Sequence, residues 1–285
     1  MRLAVIGDIH GAWDEKDNAY FERENIDFLL FTGDLAAWVG TETFRLAEII
    51  ARLKKPFAMI AGNHDCVTLS ALVGEFTQTD LVSRLQSGAI ARRYQRLQSI
   101  LGDRLVGYST VELGPFTVVG ARPFAMDGAR LSFAGPLQKL FGIRSLTDSA
   151  ERIGNLIGKA KSPVVVLAHN GPRGLGADRH DPFGIDFRKQ GGDNGDADLA
   201  EAIARNKDKI ALVVAGHMHH KVKGSRQPRT FAVVHQGTPV VNGARVPRHA
   251  GETGFYLALE WDGHSVGAAK EVWYNRETGK EFLSP

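Results

Sequence analysis

The stretch IALVVAGHMHH, residues 210–220, runs an apolar segment into Gly216 and then presents His217, His219 and His220 within four positions. An apolar run of strand length that stops at metal-ligating side chains puts those side chains at a strand end. Four other runs stop in the same way. LAVIG (3–7) leads into Asp8 and His10, FLLFTG (28–33) into Asp34, FAMIAG (57–62) into Asn63, His64 and Asp65, and VVVLA (164–168) into His169. In an open α/β sheet, ligands bind outside the carboxyl ends of the strands, so parallel topology predicts that these five loops share one crevice. Taken singly, Asp8 reads as a helix N-cap, Asp34 and Asn63 as turn residues and His169 as a core histidine. Their repetition at five strand ends points to a metal site.

The first 65 residues support that topology. Strand-like LAVIG, DFLLFTG and PFAMIAG alternate with helical patterns over Trp13 to Asn25 and Thr41 to Lys54, a βαβαβ order that implies a parallel sheet. Residues 78–104 predict one or two basic helices that cap one side of the fold. TVELGPFTVVGARP predicts a hairpin around Gly114-Pro115, and a helical stretch near 146–161 leads into VVVLAHN. Residues 171–195 form a Gly-rich segment longer than most connections, expected to be a lid or an irregular excursion. A helix over Asp196 to Lys209 follows, with Asp196 as its cap, and then two late strand pairs. No internal repeat or linker appears, so residues 1–285 are expected to be a single α/β domain.

Composition limits the function classes. Of 285 residues, 43% are hydrophobic and 24% charged, as in chains that bury a sizeable core. No apolar run approaches the roughly 20 residues of a membrane span, Asp8 interrupts any signal-peptide core, and Cys66 is the only cysteine, so no intrachain disulfide forms. A cytoplasmic protein without a membrane partner is expected. The net charge of +3 is too small to indicate nucleic acid by itself. Between His220 and Gly251, however, Lys221, Lys223, Arg226, Arg229, Arg245 and Arg248 occur without an acid. This segment is expected to be either a solvated loop and hairpin or a basic rim for an anionic substrate.

Imidazole, carboxylate and amide oxygen without thiolate suit first-row ions. Manganese is the first expectation, with iron, zinc, magnesium or nickel as alternatives. The donors outnumber what one tetrahedral ion takes, and a carboxylate has two oxygens able to bridge, so two divalent ions about 3.5–4 Å apart are expected. Their positive charge exceeds that of Asp8 and Asp34 and leaves a surplus for a hydroxide and an anionic substrate.

The ordered set GDIH, Gly33-Asp34, GNHD, His169 and GHMH, spanning residues 7–219, is similar to the motifs of the calcineurin-like metallophosphoesterases. The resemblance implies a four-layer α/β/β/α sandwich. It places Asp8, His10 and His219 on one metal, Asn63, His169 and His217 on a second, and Asp34 between them. It further implies that His64 contacts the phosphate or protonates the leaving oxygen, with Asp65 orienting it. The implied activity is hydrolysis of a phosphomonoester or phosphodiester by attack of a metal-bound hydroxide. Two alternatives remain: a metal-dependent nuclease using the basic segments, and a non-catalytic scaffold like the retromer subunit of the superfamily. More narrowly, GGDNGDADL and VNGARVPRH resemble stretches of an uncharacterised cyanobacterial and plastid subfamily. GDLAAWVG (33–40) lacks the Asp and Arg that follow this motif in the serine/threonine protein phosphatases, which argues against that activity. A phosphate-gripping cation must then come from Arg93, Arg173 or Lys221, and a small phosphorylated substrate is the expected partner. His220 is expected either beside the substrate or in solvent.

Overall fold

The computed structural model describes residues 1–38, 42–77, 79, 81–161 and 163–283. Thr41, Gln78 and the last two residues of GDLAAWVG therefore lie outside the described residues. In chain order the elements are β1 (Arg2–Ile6), α1 (Glu15–Arg23), β2 (Phe28–Phe31), α2 (Glu42–Ile50), β3 (Phe57–Met59), α3 (Leu69–Phe76), α4 (Leu81–Leu85) and α5 (Ser87–Leu101). They continue with β4 (Thr110–Leu113), β5 (Phe116–Gly120), α6 (Ala134–Phe141), α7 (Leu146–Lys159), β6 (Val164–Leu167), α8 (Ala197–Asn206) and β7 (Ile210–Ala215). β8 (Ala232–His235), β9 (Thr238–Asn242), β10 (Thr253–Glu260), β11 (Lys270–Asn275) and β12 (Glu281–Leu283) complete the order.

The strands make two six-stranded sheets, β12-β11-β10-β1-β2-β3 and β4-β5-β6-β7-β9-β8. Helices lie outside them, giving the α/β/β/α sandwich. β1, β2 and β3 run parallel, and so do β5, β6, β7 and β9, while the outer strands are antiparallel. Purely apolar runs such as VVVL and FLLF are buried along their whole length because both sheet faces are covered. A contiguous core from Leu3 to Tyr274 fills the space between and around the sheets.

Local chemistry sets the helix ends that feed this arrangement. Asp14 caps α1 by accepting from the Lys16 amide at 2.9 Å, and Asp17 reaches back to the Asp14 amide at 3.0 Å, a reciprocal capping box. The hairpin around Gly114-Pro115 and the helix of residues 146–159 fall where the sequence predicts them. Residues 81–101 form two helices, the longer packed between α2 and α6.

The five ligand-bearing strand ends are divided between two sheets, three in the first and two in the second. This is the four-layer sandwich that the family resemblance implies, and the single crevice predicted from an open sheet holds although the strands come from two sheets. The two parallel blocks lie with their carboxyl ends together, so loops from both reach the same space. A Cβ on Gly7 after β1 would lie 2.3 Å from the Gly243 carbonyl after β9, which shows how closely the two sheets approach there.

Candidate metal centre

Two groups of possible ligands form at this edge. Asp8, His10 and His219 make one, and Asp34, His169 and His217 the other, with the offered atoms of each group within 4.8 Å of one another. Asp34 stands between them, its Oδ2 3.7 Å from His10 Nε2 and its Oδ1 3.6 Å from His169 Nε2. Asn63 joins the second group, its Oδ1 2.8 Å from His169 Nε2. Every residue expected to bind metal is thus drawn into one cluster, with Asp8, Asp34, Asn63 and His169 buried.

Backbone and neighbouring side chains aim these groups. The Asp8 carboxylate after β1 accepts the His217 amide after β7, at 3.0 Å to each oxygen, which ties the two sheets together at the site. Thr32 Oγ1 adds a contact to Asp8 at 3.3 Å, and the Thr32 carbonyl accepts His169 Nδ1–H at 2.7 Å. The latter bond fixes the tautomer and turns Nε2 inward. His217 is turned the other way, since its Nε2 donates to the Met126 carbonyl at 3.1 Å and leaves Nδ1 for a ligand. Thr32 and Met126 carry no sequence signal for these roles, because their partners are remote in the chain.

Four members of the cluster sit at positive φ, namely Asp8 (39°), His10 (44°), Asp34 (50°) and His217 (68°). Such conformations are uncommon outside glycine, and their concentration here marks a place where positioning prevails over local preference. The adjoining glycines leave room for it. A Cβ on Gly62 would stand 2.2 Å from Asp34 Oδ1 and 2.6 Å from His169 Cε1.

Electrostatics separates the histidines. Burial opposes charge on Asp8 and Asp34, but the surrounding histidines, His219 foremost for Asp8 and His169 for Asp34, together outweigh it and hold both carboxyls below their ordinary range. Against the same opposing burial, Asp34 raises His169, and the contact with Asp8 raises His219. Burial and the neighbouring His169 push His217 down to about 3. The donor set suits divalent cations. Its buried His10 Nε2 has no hydrogen-bond partner among the described residues and points toward Asp34.

A model of the calcineurin-like phosphoesterases matches residues 1–221. The chain belongs to this family. Among solved structures it is similar to the protein TT1561 of Thermus thermophilus, at 12% identity and a TM-score of 0.54, with 99% of this chain and 97% of that one covered. It is also similar to a putative 5'-nucleotidase from Staphylococcus aureus, at 13% identity and a TM-score of 0.51, covering 95% of this chain and 53% of that one. At these identities the likeness concerns the fold. No curated protein matches the chain. Family membership brings metal-dependent phosphoester hydrolysis as the family's general chemistry, in a site with divalent metals.

Several neighbours of the cluster differ from expectation. Asp65 does not touch the His64 ring: its oxygens accept the Leu35 and Gly62 amides, each at 3.0 Å, so it braces the two loops that carry Asp34 and Asn63. His220 is neither at the cleft nor in solvent. It is buried against Phe231, bonds the Asn242 carbonyl at 2.7 Å and is pushed down to about 4 by burial. The basic rim loses two members, because Arg229 is buried on the carbonyls of Arg179, Asp181, Gly184 and His219, and Arg248 is buried on Asp17. The three of those bonds that reach Arg179, Asp181 and Gly184, with an Asn242 bond to the Pro182 carbonyl, fasten the 171–195 segment to the body. Asp196 does not cap α8 with its side chain; it pairs with Arg122 at 2.7 Å. Of the three proposed phosphate-gripping cations, Lys221 lines the cleft beside the ligands, whereas Arg93 lies over Phe44.

Proposed function

We propose that the protein hydrolyses phosphate monoesters or diesters with two divalent ions, manganese first among them, and that its substrate is a small phosphorylated molecule met in the cytoplasm. The observation that carries this reading is the position of Asp34, with one carboxylate oxygen toward His10 and the other toward His169. A bridging carboxylate needs that geometry. Asp8, His10 and His219 would hold one ion, and Asn63, His169 and His217 the other. When bound, such ions supply Lewis-acid polarisation of a phosphoryl oxygen and lower the pKa of water.

The chain's own groups do the rest. Asp8 and Asp34, held ionised, limit the positive charge of the centre without cancelling it. Lys221 at the cleft wall offers a cation to an arriving phosphate. His64 lines the same cleft and packs edge-on to His10 at 5.1 Å, and its Nδ1 is buried without a hydrogen-bond partner among the described residues. Burial lowers its pKa against the opposing charge of Asp34, so the protonated form that donates to a leaving oxygen is favoured on the acid side of neutrality.

The test compares manganese-loaded wild type with His64→Gln on p-nitrophenyl phosphate, bis-p-nitrophenyl phosphate and an alkyl phosphate. Wild type is expected to turn over at least one nitrophenyl ester. His64→Gln is expected to lose about 10²-fold or more on the alkyl ester, whose leaving group needs a proton, and much less on the nitrophenyl esters. Equal losses on all of them would contradict proton donation by His64, and no turnover with any divalent ion would contradict the hydrolase.

A further inference from the structure

Resting on the phosphoesterase reading, we propose that the cleft over the metal centre takes phosphate esters whose alcohol carries an extended apolar chain, seated against Trp38, Leu69, Val73, Phe76 and Phe187. The cleft, about 550 Å³, is continuous from Asp34, Asn63, His64, His217 and His219 to these five side chains. They are 73%, 55%, 52%, 61% and 42% exposed, respectively. Single exposed apolar residues are ordinary, whereas five from three segments lining one functional cleft mark a binding surface.

Helix α3 shows that the wall is built rather than incidental. Leu69, Leu72, Val73 and Phe76 follow the i, i+3, i+4, i+7 spacing of an apolar helical stripe, which in a surface helix ordinarily faces the core. Here the stripe lines the cleft, with Leu72 also packed against the core, and the buried face is Ala71, Gly74 and Glu75, the last 3% exposed and bonded by Ser83 Oγ at 2.6 Å and by the Phe133 amide at 2.9 Å. The larger apolar side chains face out and a carboxylate faces in. Those bonds anchor the helix in that orientation, so it cannot roll to bury the stripe without breaking both and leaving the buried Phe133 amide without this acceptor. Beyond Leu69 and Val73 a second, shallow groove continues to Val82, giving a chain that passes the first wall further apolar surface. At the metal end of the cleft the lining turns polar, with Lys221 beside the histidines. A phosphate at the ions and a hydrocarbon along α3 match this polarity.

Binding separates this proposal from the hydrolase reading. Manganese-loaded protein is titrated calorimetrically with ethyl, butyl, hexyl, octyl and decyl phosphonates below their micelle concentrations, then with the matching alkanols and with adenosine monophosphate. Phosphonate affinity is expected to rise about three- to fourfold per methylene until the cleft is filled, the factor for moving a methylene out of water. The double variant Val73→Ser, Phe76→Ser, altered only at exposed positions, is expected to lower that slope while binding as much manganese. Equal affinity for ethyl and decyl phosphonate, an unchanged slope in the variant, or tighter binding of adenosine monophosphate than of decyl phosphonate would overturn the apolar chain. Association with neutral phosphatidylcholine vesicles without any chain-length dependence would overturn it too, and would make the wall a bilayer contact. Decanol binding as tightly as decyl phosphonate, with the slope kept, would sustain the apolar wall and contradict the phosphate end instead.

Discussion

Among the clusters of buried charged groups in this molecule, two are completed differently. In the first, Asp17 is paired from within the chain. Arg248 Nη1 donates to it at 3.0 Å and Tyr274 at 2.5 Å, and Arg248 in turn bonds Tyr274 and lies 4.7 Å over Trp13. In the second, Asp8 and Asp34 face four histidines and an asparagine, no lysine or arginine donates to either carboxylate among the described residues, and His10 Nε2 is left without a partner. Burial penalises charge in both. A cluster that carries its own cation is structural, and one that gathers neutral donors around carboxylates leaves the place of the cation to an ion. Burial alone does not distinguish a functional acid from a structural one; the kind of partner does.

The comparison breaks most readily at Arg248. Arg248→Met removes the buried cation that donates to Asp17, leaving it Tyr274, His249 at 3.2 Å and the Arg276 guanidinium at 3.6 Å, and is expected to cost about 3 kcal/mol of folding stability in urea titration. The manganese content of the folded fraction should not change, since the two clusters share no residue. A smaller effect is expected from Gly62→Ala, whose Cβ would displace Asp34 and His169. Because it shifts ligands without removing one, manganese affinity should weaken about 10–100-fold by calorimetry, as when support for a ligand is lost. The smallest and sharpest effect concerns acid. Burial works against an ionised Asp17, yet Arg248, His249 and Tyr274 together outweigh it and hold the carboxyl below its usual range. A depressed folded value contributes stability that is present above the unfolded pKa of about 4 and is lost as pH falls below it. Wild type should therefore lose more stability than Asp17→Asn between pH 5 and pH 2, measured by urea midpoints, and parallel curves would remove Asp17 from the account.

Much of the site was legible because its pattern is local. An apolar run that stops at a ligand reads the same at Asp8, Asp34, Asn63, His169 and His217 wherever the strand lies, with a glycine between the two at all but His169. The presence of two sheets was legible only through the family resemblance, since a buried parallel strand has the same composition in either sheet. Nor was the burial of Arg229 and Arg248. A run of basic residues reads as a charged rim, and the carbonyls and the carboxylate that bury these two lie 10 to 231 residues away. Asp65 next to His64 read as its orienter, while its amide partners became visible only once the loops were folded. The inverted α3 hides for a related reason: periodicity shows that a helix has an apolar stripe and is silent on which side receives it. Only the bonds that fix Glu75 inside decide that.

The central claim is that Asp34 joins two ion sites, and counting ions tests it most directly. Protein stripped of metal, reloaded with manganese and passed through a desalting column should carry two ions per chain by elemental analysis. Asp34→Asn, folded as well as wild type by circular dichroism, should carry fewer than one. A wild type that retains one ion or none, or an Asp34→Asn variant that still retains two, would contradict the shared centre.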